Sequence, residues 1–367
     1  MKTAVLQNNK FIITDRPKPL LDEYGEGAII KVIGCGLCGS DIVKIRTGKA
    51  KTGDILGHEV VGEIVEINSK TNFEVGDKVA LGHHVPCFNC GYCWGGNYSM
   101  CKHFKETNII PGGFSEYIYV SEEHLMNTVF HVNLRLSDIE ASFLEPLGCC
   151  VRAIKRANLK DDSKVLIVGL GTIGLLMGQG VKAFGNSVFG VDLLYDRAVM
   201  AEKFGFNSAF ELDDETKVLS EMKKIAPLGY DTVFLTAGAT QSINFALKAV
   251  RDGGTIVVFS SIKDDMVGYR NNDIYYRELT IMGSYSPSPM DLEDSMKLIE
   301  AGKVRVDGLS TVYPIENLND AMKDTLSNNI MKAYIKLWKW RLYSFIHLWI
   351  LNMKTLKFVN QKMMKFK

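Results

Sequence analysis

Cys87, Cys90, Cys93 and Cys101 place four thiols within fifteen residues, at spacings of two, two and seven. Thiolates this close, interleaved with Gly91, Gly95 and Gly96, can close a tetrahedral shell around one Zn²⁺. An iron–sulfur centre is the other group that takes four cysteines. A shell of four protein ligands leaves no open position, so this lobe, about residues 84–104, reads as structural and not catalytic. About seventy residues later come Gly169, Gly171 and Gly174 in a Gly-x-Gly-x-x-Gly pattern. Few chains carry both features in that order.

The glycine pattern has the context that gives it meaning. It follows a β-branched run, Val165–Val168, and opens a helix expected over Leu175–Phe184. An acid, Asp192, closes the next strand 21 residues after Gly171. In such a turn the first glycine allows the tight bend, the second admits a pyrophosphate and the third lets helix and strand approach. The phosphates then lie on a helix N-terminus, whose free N–H groups and dipole favour anions. Asp192 would accept hydrogen bonds from a ribose and repel a 2′-phosphate, which favours NAD over NADP.

The surrounding text divides into two textures. Up to about Glu145 short β-branched runs alternate with Gly, Pro and Asp, the pattern of an irregular β domain. From Lys164 strands and helices alternate, which indicates a parallel sheet covered on both faces. At 367 residues the chain is long enough for two cores. A net charge of +1 gives no reason to expect nucleic acid as a partner. Met1 opens onto strand-like Thr3–Leu6 with no basic and apolar leader, and eight cysteines without a secretory signal suit a reducing compartment, so the cytoplasm is expected. Residues 338–367 differ from the rest, with seven Lys/Arg, no acid and three of the four tryptophans. Their apolar run is too short to span a bilayer. They read as an extension appended to a finished domain, with a basic amphipathic helix at a membrane or partner surface as the alternative.

Three further residues have unremarkable readings when taken singly: Cys38 as a small core residue, His58 as a hydrogen-bonded core histidine, Glu145 as a surface acid. Together with their neighbours they carry a resemblance. Residues 1–337 resemble the zinc-dependent medium-chain dehydrogenases, most closely the polyol (sorbitol-like) and threonine dehydrogenase branches. The carrying motifs are Cys38-Gly39-Ser40-Asp41, Gly57-His58-Glu59, the cysteine lobe, Gly112–Tyr117, Glu145-Pro146-Leu147 and the glycine turn.

The resemblance implies a GroES-like β barrel made from both chain ends, residues 1–148 plus 285–337, with an α/β Rossmann domain inserted at 149–284. It implies two zinc ions per chain: a catalytic one at Cys38, His58, Glu59 and Glu145, and a structural one at the four cysteines. Ser40 would relay the substrate proton, with Glu59 and Glu145 as the acidic members of the catalytic site. Cofactor contacts are expected from Gly169, Gly171, Thr172, Ile173, Gly174, Asp192, Arg197, Ala237, Gly238, Phe259 and Ser260. Glu145 stands where the alcohol dehydrogenase branch has cysteine, which points to the polyol-like branch. Many relatives have histidine five residues after the zinc cysteine; here Val43 stands there, which weakens the threonine dehydrogenase reading. The expected activity is hydride transfer from a secondary alcohol or polyol to NAD, in a homodimer or homotetramer.

Overall fold

The computed structural model describes residues 1–238, 240–260 and 268–338. The expectations for the C-terminal extension fall, apart from Trp338, outside the described residues. Six strands form a wholly parallel sheet: β8 (Lys164–Val168), β9 (Ser187–Asp192), β10 (Ser208–Glu211), β11 (Tyr230–Leu235), β12 (Val250–Val258) and β13 (Thr280–Gly283). Their order is β10-β9-β8-β11-β12-β13. The order reverses between β8 and β11, and in sheets of this kind ligands bind outside the carboxyl ends of the strands at that reversal.

Alternation along the strands explains why both faces are covered. Val165 and Ile167 of β8 join one core with Leu147, Val151 and Ile154. Leu166 and Val168 join the opposite core with Val218, Ile243 and Ala246. The helices found are longer toward their N-termini than the sequence suggests, the one after the glycine turn running over Thr172–Ala183.

A second sheet draws on both ends of the chain. β1 (Lys2–Gln7) and β2 (Lys10–Asp15) pair as a separate antiparallel ribbon. The second sheet's strands are β3 (Gly27–Leu37), β4 (Glu59–Ile67), β5 (Lys78–Leu81), β6 (Tyr117–Ser121), β7 (Val129–His131), β14 (Ser310–Pro314) and β15 (Lys332–Lys336). Their order is β14-β15-β3-β4-β5-β7, with β6 also pairing β3. Antiparallel pairing of β15 with β3 sets Ala333 opposite Leu37 and so returns the late chain to the early one. The helix Leu144–Ala157 runs unbroken between the two sheets. Its residues Leu144 and Leu147 belong to the cores of the barrel side and the parallel-sheet side respectively.

Candidate active site

The four cysteines converge as their spacing requires. Sγ–Sγ distances are 3.6 Å for Cys90–Cys93, 3.5 Å for Cys87–Cys101 and 4.0 Å for Cys87–Cys93. A tetrahedron of Zn–S bonds near 2.3 Å has sulfur edges of about 3.8 Å. The donor set therefore fits one mononuclear ion, whereas a cluster holding one iron per thiolate would spread the sulfurs further apart. Phe104 and Tyr98 close the lobe from below. Shared protons and burial split the thiols: burial lifts Cys93 to about 12, while Cys101, despite burial, is held to about 6 by N–H groups of Cys87 and Phe104.

A second cluster forms where β3, β4 and β15 meet the helix Gly39–Arg46. Cys38 caps that helix, its Sγ accepting from Ser40 N–H at 3.4 Å, while Asp41 Oδ2 accepts Cys38 N–H at 3.3 Å. One turn therefore sets three functional side chains. Asp41 Oδ1 lies 3.3 Å from His58 Nδ1, and Ser40 Oγ lies 3.4 Å from His58 Nε2. Burial disfavours a charged His58, but the Asp41 and Cys38 charges outweigh it and raise its pKa well above the ordinary value. Ligand atoms of Cys38, His58 and Glu59 all lie within 4.8 Å of one another.

Glu59 opens β4 opposite Gly36. A Cβ at Gly36 would fall 1.9 Å from Glu59 Oε2, so glycine there makes the space the carboxylate fills. Glu145 is not among the atoms within 4.8 Å. It is 5 % exposed, which removes the reading of a surface acid, and accepts a hydrogen bond from the Cys149 thiol at 3.5 Å. Burial raises its pKa, opposed by His58 and reinforced by Glu59, so it senses the cluster electrostatically.

Sequence reasoning missed two members. Lys332, the first residue of β15, is 7 % exposed, and its Nζ lies 2.5 Å from each oxygen of Glu59. Burial disfavours its charge, but Glu59 and Cys38 more than compensate and raise its pKa. Nothing in an alternating Lys-Ala-Tyr-Ile-Lys strand announces this partner, 273 residues from Glu59. Asp41 was legible as part of the Cys38–Asp41 motif but carried no assigned role. With Cys38 as thiolate, the site gathers four acidic groups, Asp41, Glu59 and Glu145 buried and Cys38 half-buried, against only Lys332 and His58. Burying such an excess without compensation is prohibitive, so the donor set fits a divalent cation. Thiolate, imidazole and carboxylate together suit Zn²⁺.

The dinucleotide turn lies at the sheet reversal. A Cβ at Gly174 would sit 1.9 Å from Gly169 O, whereas one at Gly171 meets only Arg197 Nη1 at 4.0 Å. Gly174 is thus required by the fold, and Gly171 leaves open space that a ligand can use. Gly169, at φ +98°, sits against Ala237. Asp192 Oδ2 accepts Leu170 N–H at 2.6 Å and Oδ1 accepts Leu194 N–H at 3.0 Å, with Arg197 Nη1 3.6 Å away. The carboxylate fixes the turn. Thr172 Oγ1 donates to Met331 O at 2.7 Å, tying this turn to the residue before Lys332. Ile173 packs on the core below; Phe259 and Ser260 follow β12 and Gly238 follows β11, at the same carboxyl ends of the strands.

Comparisons with known proteins agree with this geometry. The sequence profile of the alcohol dehydrogenase GroES-like domain matches residues 25–129, and that of the zinc-binding dehydrogenases matches residues 172–301. D-arabinitol dehydrogenase 1 of Uromyces fabae is 30% identical over 345 residues, covering 89% of this chain and 94% of its own. Sorbitol dehydrogenase of Bacillus subtilis is 30% identical, covering 91% and 97%. The crystal structure of galactitol-1-phosphate dehydrogenase from Escherichia coli superposes with a TM-score of 0.82 at 26% identity, covering 92% of this chain and 100% of that one.

Proposed function

The chain belongs to the zinc-binding alcohol dehydrogenase family, and we propose that within it the chain oxidises a polyol at a secondary hydroxyl, with NAD as acceptor and two zinc ions per chain. The observation that carries this reading is the Cys38–His58–Glu59 cluster, with His58 and Glu59 buried, set in an excess of acidic groups. The relatives named for arabinitol and sorbitol support the substrate class. The Glu145 side chain in place of a thiolate supports the polyol-like branch over the threonine-type alternative, as does Val43. We further propose the barrel and Rossmann limits given above, with the junction inside the helix Leu144–Ala157, and a cytoplasmic homodimer or homotetramer. The eight unpaired cysteines support a reducing compartment.

Cys38, His58 and either Glu59 or Glu145 would hold the catalytic ion, and the four lobe cysteines the structural one. Bound zinc supplies a Lewis acid that makes a hydroxyl easier to deprotonate at neutral pH. Asp41 fixes the His58 ring through Nδ1, leaving Nε2 directed at the site. Ser40 Oγ, beside that nitrogen, is placed to receive the substrate proton and pass it outward. Lys332 pairs with both oxygens of Glu59 and restrains that carboxylate. The open space at Gly171 would admit the dinucleotide's pyrophosphate, and bound NAD would supply the hydride acceptor. Initial rates on sugar alcohols, inositols, threonine and simple diols, each with NAD and NADP, test the proposal. Turnover of threonine alone, or of no alcohol by protein carrying zinc, would sink it.

A further inference from the structure

A cleft of about 380 Å³ opens where the four-cysteine lobe meets the ends of β12 and β13. Ser99, Phe259, Ser260 and Tyr285 form its walls, with Arg152 and Arg156 between them. We infer that this cleft is the subsite for a phosphate monoester on the far end of the polyol chain. The inference rests on the oxidation site proposed above and names the substrate class it accepts.

Charge is the first argument. Two guanidinium groups line the cleft, and no carboxylate does among the described residues. Behind it Arg152 lies 3.6 Å from Asp291, but Asp291 also pairs with Lys155 at 3.0 Å and accepts from Ser288 N–H at 2.9 Å. Lys155 reaches Asp294 at 2.7 Å. Arg152 and Lys155 therefore compete for Asp291. Arg152 is 6 % exposed, and burial lowers its pKa below that of an ordinary guanidinium. A buried cation so loosely paired gains from a further anion.

Position is the second. Glu145, Cys149, Arg152 and Arg156 follow one another at four, three and four residues, and so share one face of the helix Leu144–Ala157. Seven residues of helix put Arg152 about 10 Å from Glu145 along the axis, and helical side chains lean back toward the N-terminus, here toward the zinc cluster. An extended sugar alcohol with a terminal ester has that reach. Phe259 and Ser260 belong both to this cleft and to the crevice at the strand ends, so the two spaces adjoin.

Donor geometry is the third. Arg156 Nε donates to Gly283 O at 3.2 Å and Nη1 to Asn97 Oδ1 at 3.3 Å, which spans the fork from sheet to lobe. Arg152 Nη2 donates to Gly96 O at 3.1 Å. Each guanidinium carries five N–H donors in a plane, so both keep donors for phosphate oxygens, the partner such forks match best. The ester is bound and not cleaved.

The test uses the full chain loaded with zinc, with NAD, on pentitols and hexitols with and without a terminal phosphate. The expected KM for the ester is at least about tenfold below that of the parent polyol, the effect of one good charge-assisted contact. Arg156→Gln should erase that difference by raising the ester's KM far more than the parent's, and Arg156→Lys should restore part of it. A wild type that handles both equally, or prefers the unphosphorylated polyol, overturns the subsite. So does an Arg156→Gln variant that raises both KM values alike, since that marks a merely structural residue. If neither substrate is oxidised the oxidation reading has failed, and inorganic phosphate decides the subsite. Phosphate should then raise the melting temperature of the wild type and not of Arg156→Gln, and equal shifts in the two proteins overturn it.

Discussion

The four-cysteine lobe draws every ligand from fifteen consecutive residues, whereas the Cys38 cluster collects its members from Cys38 to Lys332. In the lobe, short loops bring the sulfurs together and the remainder of the fold contributes only a floor. In the cluster each group is placed by a different element: Cys38 and Asp41 by a helix cap, His58 and Glu59 by the entry to β4, Glu145 by the first turn of the long helix, Lys332 by the last strand. The lobe leaves Cys87 exposed, while Asp41, Glu59 and Lys332 are all buried. The lobe's short chain has little but its ion to hold it together, so that ion would do structural work. The cluster is framed by the barrel itself, and Lys332 balances part of its charge whether or not an ion is bound.

The largest expected effect breaks or upholds this division directly. Cys38→Ala should lower kcat/KM by about a thousandfold or more, the several kcal/mol a metal supplies, and remove one of two zinc ions with little change in melting temperature. Cys93→Ala should instead lower the melting temperature by several degrees, because structural zinc contributes folding energy. Elemental analysis of wild type should find two zinc ions. One zinc or none, or a Cys93→Ala protein that keeps its stability and loses only turnover, would reverse the division.

Next in size is Lys332→Met, which leaves Glu59 buried beside Glu145 without its cation. Breaking a buried pair in this way costs about 3–5 kcal/mol. Denaturant unfolding should show that loss in metal-free protein and a smaller one with zinc restored, since a divalent ion supplies compensating charge. Equal stability of Lys332→Met and wild type after chelation would mean that the lysine plays no part in balancing the site.

These two regions were unequally legible. The lobe could be read whole because its ligands, turn glycines and spacing are contiguous. Cys38, His58 and Glu145 each needed the company of family motifs, since a single cysteine or histidine has an ordinary core reading. Lys332 could not be read at all: its meaning comes from β15 pairing with β3, a register set by the fold, and its own strand looks like any half-exposed edge. The parallel sheet was readable because its strands are continuously apolar and its helices periodic. Helix starts were placed too late, as at Thr172, because capping there is done by backbone geometry and by Gly171 in place of a recognisable polar cap.

His84 joins the two regions. Its ring lies 3.9 Å from that of His83, which in turn lies 4.7 Å from His58, and its other side meets Phe104 of the lobe at 4.9 Å. Burial lowers its pKa to about 4 from an ordinary 6.5. Below pH 6.5 the unfolded chain therefore binds a proton that the folded one refuses, so stability falls as pH drops toward 4. At pH 5 the loss is about 2 kcal/mol. His84→Gln should remove that part of the slope between pH 7.5 and 5, leaving what His83, also depressed by burial, contributes. Identical slopes would show that the two regions are not linked through this ring.

The glycine turn offers a comparison on the same lines at smaller scale. Gly174→Ala should destabilise the protein, because the methyl group meets Gly169 O. Gly171→Ala should leave melting unchanged and raise the KM for NAD about tenfold, because only the ligand needs that space. Matching losses of stability in both would mean the second glycine serves the fold alone.

The smallest effect concerns cofactor choice, away from both metal sites. Asp192 is held by two backbone N–H groups, so its carboxylate cannot swing aside from where the proposed ribose would bind. Wild type should therefore favour NAD over NADP in kcat/KM by at least about tenfold, or ~1.4 kcal/mol. Asp192→Asn keeps an oxygen for Leu170 N–H but drops the charge. Arg197, 3.6 Å from the carboxylate and bonded to Asn328 Oδ1 at 2.8 Å, would then meet a 2′-phosphate unopposed. The ratio should narrow toward unity with zinc content and melting temperature unchanged. A wild type that prefers NADP would show that Asp192 serves only the turn, and a loss of zinc in Asp192→Asn would show that the crevice and the metal cluster are coupled through Thr172 and Met331.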